Sequence, residues 1–150
     1  MSGYTPLSEI AGRIADRIRD AGGFKLVTHA QATNGAQLWD MIQSLTNVPC
    51  AIVAVGTADF ENMALKRTLR PLVFVLAPFR RGLAGDAEGV WELAERVSSC
   101  FLPVISEEGA DYPEICGIEF VPVSWTPIES PENLSAYSLS LEGTEFLNKE

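Results

Sequence analysis

Residues 73–95, VFVLAPFRRGLAGDAEGVWELAE, place an apolar run, a loop with Arg80, Arg81, Gly82 and Gly85, and a helical pattern in succession. Strand, glycine loop and helix is an arrangement that holds phosphate, because glycines let the backbone approach an anion at the positive end of a helix dipole. The spacing decides against that chemistry. A dinucleotide loop needs G-x-G-x-x-G and a P-loop needs G-x-x-x-x-G-K-[ST]. Gly82, Gly85 and Gly89 match neither, no lysine follows, and Asp86 and Glu88 bring carboxylates to the place a phosphate would take.

The other reactive residue types are equally isolated. His29 is the only histidine, no G-x-S-x-G accompanies it, and nothing marks a serine or cysteine as an activated nucleophile. The acidic stretch SEEGADYPE (106–114) lacks the D-x-[DN]-x-[DN]-G register of a calcium loop and reads as a solvated loop. Cys50, Cys100 and Cys116 stand among apolar neighbours, without the close pairs of a zinc site or the density of a disulfide scaffold. They read as buried, reduced thiols. The sequence therefore leads to a protein with no catalytic residue, no metal and no cofactor.

What remains is surface. Net charge is −9, which disfavours non-specific binding to nucleic acid. The charge is unevenly spread: residues 1–81 hold nine Lys/Arg and six Asp/Glu, a net of +3, whereas residues 82–150 hold two and fourteen, a net of −12. Lys66, Arg67, Arg70, Arg80 and Arg81 fall within sixteen positions. A basic face on one copy meeting an acidic face on the next is the pattern of a head-to-tail oligomer. Phe60 and Phe79, in segments that read as polar loops, are candidate anchors for such a contact. The candidate interface residues are thus Phe60, Lys66, Arg67, Arg70, Phe79, Arg80 and Arg81.

The elements that carry these residues follow from periodicity. Hydrophobic residues make up 47% and charged residues 21% of 150, enough for one domain (1–150) with its own core. No apolar stretch approaches the roughly 18 residues of a membrane helix, and MSGYTPLSEI lacks the basic and apolar regions of a secretory signal. Leu7, Ile10, Ala11, Ile14 and Ile18 form a helical stripe over about 6–20, with Thr5 as cap, Pro6 in the first position, and Gly22 and Gly23 as the stop. FKLVT (24–28) is a short strand, and 34–49 a second helix. CAIVAVG (50–56) and PLVFVLA (71–77) are strands covered on both faces. The segment 57–70 between them either protrudes to make contacts or extends both strands as a β-arm. A third helix, capped by Asp86, carries Val90, Leu93, Ala94, Val97 and Phe101, with Trp91 beside the stripe. Residues 117–125 and 134–143 alternate as a terminal antiparallel pair, with Tyr137, Leu139 and Leu141 inward. Trp91 and Trp125 belong to the core or its rim. The expected fold is α+β: a mainly antiparallel sheet of four to five strands with about three helices packed on it.

In RPLVFVLAPFRRGLAGDAEGVWELAERV and EICGIEFVPVSW…LSAYSLSLEG the chain resembles the small tail proteins of Mu-like phages and prophages, a family similar to phage tail terminators. The shared order is an N-terminal amphipathic helix, a P-x-x-x-V strand, an R-P-x-V-x-V strand, a glycine turn into a helix with WEL, and a terminal strand pair with W and Y-x-L-x-L-E. It spans nearly the whole chain, and its motifs are packing motifs. The resemblance implies a structural virion protein, assembled in the host cytoplasm, that closes into a ring, typically a hexamer, on the finished tail tube. It implies the tail tube protein and the head connector or stopper as partners, no membrane, and a lumen through which phage DNA passes without specific binding. Another head–tail joining protein, such as a stopper, fits the same features. A small nucleotide- or ligand-binding protein using the 79–89 loop is the alternative from a different class.

Overall fold

The two apolar runs at 50–56 and 71–77 lie at the centre of a six-stranded sheet, and both continue well past their last apolar residue. The computed structural model describes residues 3–30, 49–78, 84–128 and 134–147. In chain order these form α1 (Leu7–Ala21), β1 (Leu26–His29), β2 (Cys50–Glu61), β3 (Lys66–Pro78), α2 (Ala84–Ser99), β4 (Val104–Ser106), β5 (Gly109–Asp111), β6 (Glu114–Ile115), β7 (Ile118–Ile128) and β8 (Leu134–Phe146). The large sheet has the order β1-β2-β3-β8-β7-β6, and β4 and β5 form a separate two-stranded hairpin. The β1–β2 pair is parallel and the others are antiparallel.

The expected α+β fold with a four- to five-stranded sheet and three helices is corrected by this arrangement. Among the described residues there are two helices and eight strands, so the fold is mostly β. The helix expected over 34–49 lies outside the described residues. The physical reason for the difference is that strand pairing does not stop where hydrophobicity stops. β2 runs on through TADFE and β3 begins at Lys66, because each backbone finds a ladder partner even where the side chains are polar. β8 then pairs along the whole of β3, from Lys66↔Phe146 to Pro78↔Leu134.

One face of the sheet is packed by both helices. Ile10, Ile14 and Ile18 of α1 and Val90, Val97 and Phe101 from α2 and its exit join Val53, Leu69, Val73, Val75, Phe120, Leu139 and Leu141 in one core. Burial of each α1 isoleucine contributes about 1.5–3 kcal/mol. The opposite face of the same strands holds a second buried cluster of Cys50, Ile52, Ala54, Phe74, Leu76 and Ala136. Strand residues 50–54 are therefore buried without alternation, as their continuous apolar sequence requires.

Two helix boundaries differ from the sequence reading. α2 begins at Ala84, so Asp86 lies in its first turn and not at its cap. Pro6 occupies the N-cap position of α1, and the Thr5 side chain makes no capping bond; its hydroxyl is engaged elsewhere.

Candidate interface: the β-arm and its strap

Beyond residue 56, β2, β3 and β8 run on as a β-arm in which Leu69 still belongs to the core and Gly143 still pairs with Phe120 of β7. The register shifts at a bulge between Ala54 and Thr57. Gly56 takes φ +72° there, and a Cβ would collide with the Arg70 carbonyl oxygen, so the bulge requires glycine. On β8, Gly143 leaves room for Phe120: a Cβ would lie 2.6 Å from its ring. The β2–β3 connection turns at Asn62–Leu65, with Leu65 at φ 53°, and the Leu147 N–H donates to the Leu65 carbonyl at 2.7 Å. Of the two readings of 57–70, the structure takes the β-arm.

The register across the arm is Phe60↔Arg67↔Glu145 on the helix-facing side. Arg67 and Glu145 are only 5% and 8% exposed. Arg67 Nε donates to Glu145 Oε1 at 2.9 Å, and Nη2 lies 2.7 Å from the same oxygen. The other carboxylate oxygen accepts from the Thr5 N–H at 2.9 Å and the Thr5 hydroxyl at 2.7 Å. Arg67 Nη2 donates to the Thr5 carbonyl at 2.6 Å. The Tyr4 ring covers the Arg67 guanidinium at 4.6 Å and meets the Phe60 ring edge-on at 5.7 Å. A buried ion pair holds only when its remaining donors and acceptors are satisfied, and the Thr5 backbone and hydroxyl do that here. Tyr4 and Thr5 thus form a strap across the arm near its turn.

The opposite side of the arm carries cross-strand pairs in solvent. Lys66 lies 3.4 Å from Glu61, and Arg70 pairs with Asp59 and, at 3.6 Å, with Glu142. The hydrogen bond to Asp59 raises the Arg70 pKa. Such exposed pairs are worth about 0–1 kcal/mol each. At the tip Met63 is 98% exposed, beside the exposed polar Glu61 and Asn62; Phe60 and Phe146, 58% and 67% exposed, fall on opposite faces of the sheet.

Of the candidate interface residues, the arm therefore gathers Phe60, Lys66, Arg67 and Arg70. Phe79, Arg80 and Arg81 lie outside the described residues. The gathered cations do not make a free basic face. Arg67 is interior and bound to Glu145, and Lys66 and Arg70 have acidic partners in their own chain. The sequence reading missed Tyr4, Thr5, Met63, Glu145 and Phe146. For Glu145 a signal existed: continuing the inward positions Tyr137, Leu139 and Leu141 by two more steps of two reaches Glu145. A carboxylate at an inward strand position calls for a buried cation.

The remaining candidates resolve simply. His29 ends β1, exposed, with its ring 3.7 Å from where a Gly12 Cβ would stand. The acidic stretch 106–114 is not a bare loop; it contains the end of β4, all of β5 and the start of β6. Cys50 is buried and Cys100 partly so, whereas Cys116 is exposed in the β6–β7 turn, against the expectation that all three are interior. Trp125 donates to the Ser98 hydroxyl at 2.7 Å beside the core, and the half-exposed Trp91 donates to the Tyr137 hydroxyl at 3.0 Å. Among the described residues no three His, Cys, Asp or Glu side chains gather as metal ligands, and no helix is long and apolar enough to cross a membrane. In comparisons with known proteins, the chain matches no family model and no curated protein.

Proposed function

We propose that this chain is a structural assembly protein of the tail-terminator kind. It closes into a ring, typically a hexamer in the family it resembles, on the end of a phage tail tube. There it joins tube to head connector within the virion, after assembly in the host cytoplasm. The resemblance rests on the packing motifs quoted above. The observation that carries the reading is the arm. It is stiffened by a buried ion pair near its turn, and Phe60, Met63 and Phe146 are exposed beside that pair. Exposed aromatic and Met side chains on a rigid strand end suit an interface anchor. Lys66, Arg67 and Arg70 are matched within the chain, which favours apolar docking for this part of the surface. The acidic excess of residues 82–150 suits a lumen that does not grip DNA.

Negative-stain electron microscopy of the purified chain, alone and with the tube protein of the same genome, tests this. Rings on tube ends are expected. Bare tubes and a chain that stays monomeric in both samples would refute it.

A further inference from the structure

β7 is an edge strand for most of its length. Its inner side pairs with β8 from Phe120↔Gly143 to Ile128↔Ala136. Its outer side pairs with β6 only at Ile118 and Glu119, and among the described residues no strand continues that ladder beyond them. The row of backbone groups on such an edge is a template for an extended strand of another chain. Which residues present those groups follows from the turn before β7. Cys116 and Gly117 both have positive φ, 55° and 77°, and form a two-residue hairpin turn, which makes Ile115↔Ile118 a hydrogen-bonded pair. The Ile118 backbone thus points outward, and alternation along the strand carries the outward side to Phe120 and Pro122.

A register shift between Pro122 and Ser124 then inserts Val123 as one extra residue. Without it Pro122 and Pro127, five residues apart, would point to opposite sides of the strand. With it the outward positions continue at Trp125 and Pro127, so that every second outward residue from Phe120 on is a proline. Opposite them, Pro122↔Leu141 and Pro127↔Tyr137 are non-hydrogen-bonded pairs with β8, where a missing N–H removes no ladder bond. Pro127 is exposed, Pro122 half-buried and the bulged Val123 58% exposed. The geometry points to β7 as an edge closed to strand addition, with Val123 as the spacer that aims both prolines outward. An arriving strand, above all one from a second copy, finds donors at Phe120 and Trp125 but proline rings at 122 and 127. Copies of this chain therefore cannot continue the sheet from β7. The inference does not depend on the ring reading and holds for any assembly the chain forms.

Two measurements on the whole chain carrying Pro122→Thr/Pro127→Thr test this. Hydrogen exchange reads the direction of the amides that the substitutions introduce. In dilute solution both are expected to exchange about a hundredfold faster than the Val121 and Thr126 amides, which face β8. Introduced amides as protected as those two would show that positions 122 and 127 face inward, and would overturn the proposal. Light scattering against concentration reads the edge itself. The variant is expected to self-associate at a concentration about tenfold or more below that of the native chain, since each restored donor offers a ladder bond. Adding Val123→Lys, which places a charge on the edge, should reverse this. A variant that associates no more strongly than the native chain would likewise overturn the proposal. If circular dichroism shows that the double variant does not fold, Pro127→Thr alone, at an exposed position, carries both measurements with the same expected and overturning results.

Discussion

β2, β3 and β8 each pass through two environments, and the two ends of the same strands are held by different forces. Near Ile52, Phe74 and Ala136 the sheet is buried on both faces and its strands read as continuous apolar sequence. Near Phe60, Arg67 and Glu145 one face is closed by a single ion-paired network and the other is open to water. The body is thus secured by many interchangeable contacts and the arm by a few specific ones. Hydrophobic packing adapts to substitution of similar volume, whereas a buried charge has no substitute partner.

That contrast predicts a graded series of effects. The largest belongs to the body: Phe120→Ala should cost about 3–5 kcal/mol in urea denaturation, because it opens a cavity beside Gly143. Next is the ion pair of the arm. Arg67→Met alone should cost about 3 kcal/mol by leaving Glu145 buried and unpaired, whereas Arg67→Met combined with Glu145→Leu should recover most of that loss. Equal losses in the single and double variants would show that the pair acts only through packing and would erase the distinction between the regions.

A pH titration probes the body alone. Burial pushes the Cys50 thiol up from 9.0 to about 11. As pH rises past 9 the unfolded chain loses this proton first, so folded stability should fall, by up to about 1.4 kcal/mol per pH unit until pH 11. The Cys100 thiol is raised by its partial burial and the Cys116 thiol by partial desolvation and the nearby Glu9 carboxylate, so the measurement belongs in a Cys100→Ser/Cys116→Ser background. Replacing Cys50 by Ala in that background should flatten the slope. The smallest effect lies on the open face of the arm: Arg70→Ala should change stability by less than about 1 kcal/mol, and less still in high salt.

Legibility in the sequence follows the same division. The α1 stripe, the two doubly buried runs and the alternation of β8 were readable, because burial imposes periodicity. The continuation of β2 and β3 as an arm was readable only as one of two options, since polar strand and polar loop share a composition there. Its basis is backbone pairing to β8, more than sixty residues away. Thr5 shows the limit most clearly. Its type and position before Pro6 fit a helix cap, yet its hydroxyl bonds to Glu145, 140 residues distant. No local spacing encodes that choice. The cluster of Lys66, Arg67 and Arg70 gave no sign of its different environments: Arg67 is buried against Glu145, whereas Lys66 and Arg70 pair with carboxylates on the open face.

The claim on which the account turns is that the arm tip is an assembly surface. Light scattering coupled to size exclusion, on the native chain and on a Phe60→Ser/Met63→Ser variant, tests it most directly. The account predicts a ring-sized native oligomer and a variant that falls to monomer while its far-ultraviolet circular dichroism and urea midpoint stay unchanged. A variant that keeps the native oligomer, or a native chain that never forms one, would contradict it.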